Sequence, residues 1–166
     1  ASVIILVIAI NYLQLEKGQT LQELALGEIN MVENLASPEV MRSEEMMLTT
    51  VDSLLNVGFK AALSGDVTKA KTIYNEVIRD HNDAANISMA YLNIGIIEYN
   101  TQNYEQAAAA FNDAIERVQE DPVLEEKAYW YLGNSYVKLD RQDEAGDIIY
   151  KAYKMDGIYK KPALRL

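Results

Sequence analysis

Three stretches of the chain repeat in phase, and that phase limits the fold more than any other feature. Leu54-Leu55-Asn56-Val57-Gly58, Tyr91-Leu92-Asn93-Ile94-Gly95 and Tyr129-Trp130-Tyr131-Leu132-Gly133 place their glycines 37 and 38 residues apart. Twelve residues after each glycine stands an alanine (Ala70, Ala107, Ala145), four further on a large apolar residue (Tyr74, Phe111, Ile149), and three beyond that a small or β-branched one (Val77, Ala114, Ala152). Small residues at fixed intervals let two antiparallel helices approach closely, because a larger side chain would hold the backbones apart. The large residue one turn after each alanine is then expected to fill the gap between neighbouring hairpins. A single hairpin cannot bury its apolar face, so such units must stack. Apolar spacing is helical from Leu21 to Leu166, and the three prolines, Pro38, Pro122 and Pro162, fall where periodic segments break. The fold class is therefore all-α.

The pattern resembles the tetratricopeptide repeat (TPR) family over about residues 43–157. It is fullest in the third repeat, at Tyr129, Leu132, Gly133, Tyr136, Ala145, Ile149 and Ala152. The second repeat departs at Glu98, where Tyr is expected, and the first at Ala61 and Val77. The resemblance implies an α-solenoid of three helix hairpins: 43–64 with 67–80, 84–101 with 104–119, and 123–139 with 142–155. A short tail, 158–166, follows. Asp66 and Asp140 are the expected N-caps, and Pro122 is expected in the first turn of its helix.

The same resemblance implies a concave groove lined by the first helix of each hairpin. Repeat one would offer Leu55, Phe59 and Ala62. Repeat two would offer Leu92, Asn93, Ile96, Tyr99 and Asn100, and repeat three Lys127, Trp130, Asn134 and Val137. Some TPR proteins grip a peptide's C-terminal carboxylate with Lys and Asn from these helices. Asn93 and Lys127 match two such positions, but Leu55, Phe59 and Tyr131 stand where Lys, Asn and Arg are required. An apolar, aromatic groove suits a helix or an extended peptide instead. Its occupant is open between the chain's own N-terminal segment, another subunit and a protein partner.

Upstream, residues 1–35 read as one long helix, apolar in its first half. Val3, Ile4, Ile5, Leu6, Val7, Ile8, Ile10 and Leu13 precede the first charge, Glu16. From Gln19 an amphipathic stripe follows at Leu21, Leu24, Leu26, Ile29, Val32 and Leu35, suited to packing on a partner helix or on the first repeat. Four readings of the apolar run compete. As a helix, 1–15 spans ~22 Å, short of the ~30 Å of a bilayer core, so an anchor would need further apolar residues upstream. The run also resembles the N-termini of type IV pilins, whose apolar helices form a filament core, although Ala1 and Ile5 replace the aromatic and acidic residues usual there. A signal-peptide core lacks its basic flank here and has no small-x-small site after Leu15. Internal packing would require cover on every face of the run.

Composition narrows the functions. The 166 residues carry a net charge of −10, which repels phosphate backbones and argues against nucleic acid as a partner. Charge is uneven, with seven acids and one base over 104–126 but five bases and one acid over 151–166, a polarity that suits head-to-tail contacts as well as it suits solvated surfaces. The chain has no cysteine and one histidine, His81, which reads as a loop residue. No spacing supports a catalytic triad, a phosphate loop or a metal cluster, so neither enzymatic activity nor a cofactor is expected. Glu44-Glu45, Glu125-Glu126 and Asp143-Glu144 read as solvated helix starts, Met41, Met46 and Met47 as core, and Asn86-Ile87-Ser88 fits a glycosylation motif. The expectation is a non-enzymatic scaffold, oligomeric, held by its N-terminal helix in a membrane or in a filament of its own copies. The location expected is membrane-associated or extracellular, in a prokaryotic envelope.

Overall fold

The computed structural model describes residues 27–38 and 50–163. After α1 (Met31–Asn34), a single turn, come six helices in three hairpins: α2 (Thr50–Leu63) with α3 (Val67–Asp80), α4 (Ala84–Asn100) with α5 (Tyr104–Arg117), and α6 (Pro122–Lys138) with α7 (Gln142–Lys154). A short α8 (Lys160–Ala163) closes the described chain. The first helices α2, α4 and α6 lie side by side, and α3 and α5 each pack on the first helix of the next hairpin. This is an all-α solenoid, as the repeat phase requires. The described bounds of the six helices follow the expected ones to within two residues wherever both ends are described.

The three glycines sit where the helices of a hairpin cross. A methyl group at Gly58 would lie 2.6 Å from Tyr74 Cε1, and one at Gly95 would lie 2.5 Å from Phe111 Cε1. Gly133 meets Ile149 in the same way. The large residue of each repeat thus packs first on the glycine of its own hairpin rather than between hairpins. Phe111 also reaches the next one, its ring 5.7 Å from that of Tyr131.

Each hairpin turns through the same backbone device. Gly65, Gln102 and Asp140, in equivalent repeat positions, all have positive φ (84°, 64° and 59°). The next residue's N–H then reaches back six residues inclusive, from Asp66 to Ala61 O, Asn103 to Glu98 O and Arg141 to Tyr136 O, each at 2.9 Å. Asp66 caps α3 as expected, accepting from the N–H of Lys69 at 3.1 Å. Asp140 does not cap α7, because it occupies the left-handed turn position itself and Arg141 takes the cap position, its side chain bonding Glu144 rather than capping the helix N–H groups. Pro122 opens α6, where Asp121 accepts from the N–H of Leu124 at 2.9 Å.

Two segments outside the hairpins take their form from contacts with the solenoid. The predicted helix 1–35 lies outside the described residues up to residue 26. From 27 to 35 only the turn α1 is helical, because Asn30 adopts an extended backbone and caps Val32, and Leu35 is extended again. The tail expected over 158–166 is docked as far as Ala163: Tyr159 and Ala163 are buried, and α8 packs on α7. The anchor residues Val3, Ile4, Ile5, Leu6, Val7, Ile8, Ile10 and Leu13 lie outside the described residues, as do Glu44, Glu45 and the methionine cluster 41–47. Among the described residues, no helix is long and apolar enough to cross a membrane.

Candidate peptide groove

The segment 27–38 lies against the first helices of the hairpins and is held largely through its main chain. Asn100 on α4 accepts from the N–H of Ile29 at 2.7 Å and donates to its carbonyl at 2.8 Å. Two turns back on the same helix, Asn93 accepts from the N–H of Ala36 and donates to its carbonyl, both at 2.7 Å. A carboxamide carries a donor and an acceptor side by side, as a peptide group does, so each Asn satisfies both polar groups of one residue of the segment. The two rungs are seven residues apart on α4 and grip residues seven apart in the segment. Ser37 Oγ donates to Asn56 Oδ1 on α2 at 2.6 Å. Lys127 Nζ on α6 lies 3.4 Å from the Asn34 carbonyl, and burial holds this ammonium below the usual lysine range.

Apolar contacts complete the seat. Ile29, Leu35 and Ala36 are each no more than 3% exposed and belong to the core cluster of the solenoid. At the α6 end, Tyr159 stacks on Trp130 with ring centres 5.5 Å apart. Its hydroxyl donates to Asn34 Oδ1 at 3.1 Å and lies 2.9 Å from that of Tyr131. Tyr159 is itself fixed by Glu126, whose carboxylate accepts the N–H groups of Ile158 (3.1 Å) and Tyr159 (3.0 Å). Glu126 is therefore no solvated helix-start acid; it is 4% exposed and ties the end of the described chain to α6.

Of the residues expected in the groove, Asn93, Asn100 and Lys127 touch the segment directly, and Trp130 lines a space beside Ile29 and Asn34. Leu92, Ile96 and Tyr99 are fully buried. Phe59 is half-buried against the core, and Asn134 donates back to the Trp130 carbonyl of its own helix at 2.9 Å. Asn56, Tyr131 and Tyr159 were not anticipated. The signal for the first was present: Asn56 and Asn93 stand two residues before Gly58 and Gly95, in equivalent repeat positions. The third repeat has Tyr131 there, and it reaches the segment through Tyr159. The glycosylation motif is closed, since Asn86 and Ser88 are buried in α4 and Ser88 Oγ donates to the Ala114 carbonyl at 2.8 Å. Among the described residues no three His, Asp or Glu side chains gather to hold a metal ion.

The sequence model of the tetratricopeptide repeat family matches residues 63–123 and 93–157, together more than half of the chain. The chain belongs to the tetratricopeptide repeat family. Its TPR hairpins are those described above, and its groove is the face of the TPR first helices on which 27–38 rests. TPR domains in general bind protein partners. No curated protein matches the chain.

Proposed function

We propose that this TPR protein is a non-enzymatic scaffold whose groove is built to hold an extended peptide segment. The apolar run 3–13 would tether it to a membrane. The observation that carries the reading is the pair of carboxamides, Asn93 and Asn100, each bonded to both the N–H and the C=O of a single residue. In place of the clamp that reads a chain end, the groove reads main chain in mid-segment, and 27–38 is its resident occupant. Affinity capture with full-length protein tests it. A defined protein should be retained in near-stoichiometric amount, and its retention should change at least tenfold when Asn93 and Asn100 are both replaced by Ala. Retention that ignores the double substitution would remove the groove from the function.

The tether is tested by fractionation. The chain should sediment with membranes and leave them in detergent but not in high salt, and deletion of 1–15 should release it. A filament or assembly subunit is the second reading, favoured by the charge contrast between 104–126 and 151–166. It expects polymers in negative-stain images of native material.

A further inference from the structure

We infer that the groove exchanges its occupant between copies: the segment 27–38 of one chain can seat in the groove of a second chain, linking the repeat domains. The inference deepens the groove reading above and rests on it. The segment makes few contacts with itself, a single turn at α1, and many with the helices that follow it. The hairpins, by contrast, pack on one another directly. The segment is thus a detachable element, and every bond it forms in its own groove can form identically in another copy. Exchange of an identical element is a low-cost route to assembly for that reason, since the contacts cancel and only the link and the association entropy differ.

Three observations favour a second copy as the alternative occupant. An unoccupied groove would leave the apolar seat of Ile29 and Leu35 and the two Asn rungs uncovered, so withdrawal is favourable only if an equivalent segment replaces the first. An identical segment can make every one of these contacts. The link from Pro38 to Thr50 is eleven residues, a reach of roughly 40 Å at full extension, about three helix diameters. The segment also continues directly from residues 1–26, which hold the apolar run. Any bundling of those runs gathers several segments and several grooves and raises their effective concentration.

The absence of native cysteine makes the test direct. Ser37 and Asn56 touch in the seated state at 2.6 Å. Full-length Ser37→Cys carrying one tag is mixed with full-length Asn56→Cys carrying another, in detergent, and oxidised. A doubly tagged disulfide dimer at twice the chain mass is expected. Its yield should fall at least tenfold when Asn93 and Asn100 are also Ala in the Asn56→Cys chain. The double variant Ser37→Cys/Asn56→Cys reports seating within one chain. If it closes an internal disulfide while the mixture gives no dimer, the segment stays in its own groove; exchange is overturned and the groove reading stands. If neither bond forms, the segment is not seated beside Asn56 and both readings fall. A dimer whose yield ignores the two Ala replacements would assign contact to the apolar runs alone and overturn exchange.

Discussion

At the scale of single residues, two glycines in helices should respond to alanine with opposite sign. A methyl at Gly95 would lie 2.5 Å from the Phe111 ring, between two helices that cannot separate without opening the hairpin. Gly95→Ala is expected to destabilise by about 1–3 kcal/mol, as other overpacked cores do. Gly146, on α7, has nothing within 4 Å of the same position. There alanine lowers only backbone freedom in the unfolded chain, and Gly146→Ala should stabilise by roughly 0.5–1 kcal/mol. Urea titrations of both variants check the pair; equal signs would contradict the packing. Glu98, at the position where the repeat pattern expects Tyr, gives a pH dependence. Burial would raise its carboxyl, but bonds from Lys71 and Asn103 and the Lys71 charge outweigh burial and hold it below the usual carboxylate range. A depressed folded-state value means stability fully present above the unfolded pKa of ~4.3 and lost as pH falls through the folded one. The stability gap between wild type and Glu98→Gln should therefore close between about pH 4 and lower values, as followed by urea unfolding at pH 6 and pH 3. A gap of constant size would show that the carboxylate charge is not its source.

At the scale of elements, the hairpins were legible because they rest on local, repeated causes. Glycine at a crossing, a large apolar residue packed on it and a turn every 37 or 38 residues leave a periodic trace in the chain. Elements whose form is decided by distant partners leave no such trace. Residues 27–35 have a helical stripe of apolar residues, yet the backbone of Ile29 is taken up by Asn100 and that of the adjoining Ala36 by Asn93, more than fifty residues away. No periodicity within the segment records that competition. The end of the chain is similar. Residues 158–163 are too few to show in their own sequence where they pack, and they dock because Glu126, 32 residues earlier, accepts two of their N–H groups. The acid itself looked like one of a solvated pair. Replacing it tests the element as a whole. Glu126→Gln keeps the size but puts a donor where one N–H needs an acceptor, and should cost about 1–3 kcal/mol. Hydrogen exchange should show the Ile158 and Tyr159 amides unprotected while those of α6 stay protected. Equal loss in both would mean that Glu126 holds α6 rather than the chain's end.

At the scale of the whole molecule, the remaining question is whether the groove segment is part of the cooperative unit or an occupant of it. The first helices pack side by side and the second helices bridge them, so the solenoid has direct contacts at every step without 27–38. Stability in such stacks is close to a sum of unit and neighbour terms, and an element attached along one face can open before the rest. The segment nevertheless buries Leu35 to 3% exposure, and truncating a buried Leu to Ala removes ~2–5 kcal/mol. Leu35→Ala should then act selectively. The Ala36 amide, bonded to Asn93 at 2.7 Å, should exchange at least tenfold faster, while amides in the middle of α4 keep their protection and the far-UV helix signal is unchanged. That outcome describes a groove that can release its occupant without unfolding, the property that both a peptide scaffold and an exchange between copies require. If instead Ala36 and the α4 amides lose protection together, opening the groove means unfolding the solenoid. The segment would then be a fourth structural layer, and neither use of the groove would be open to the folded protein.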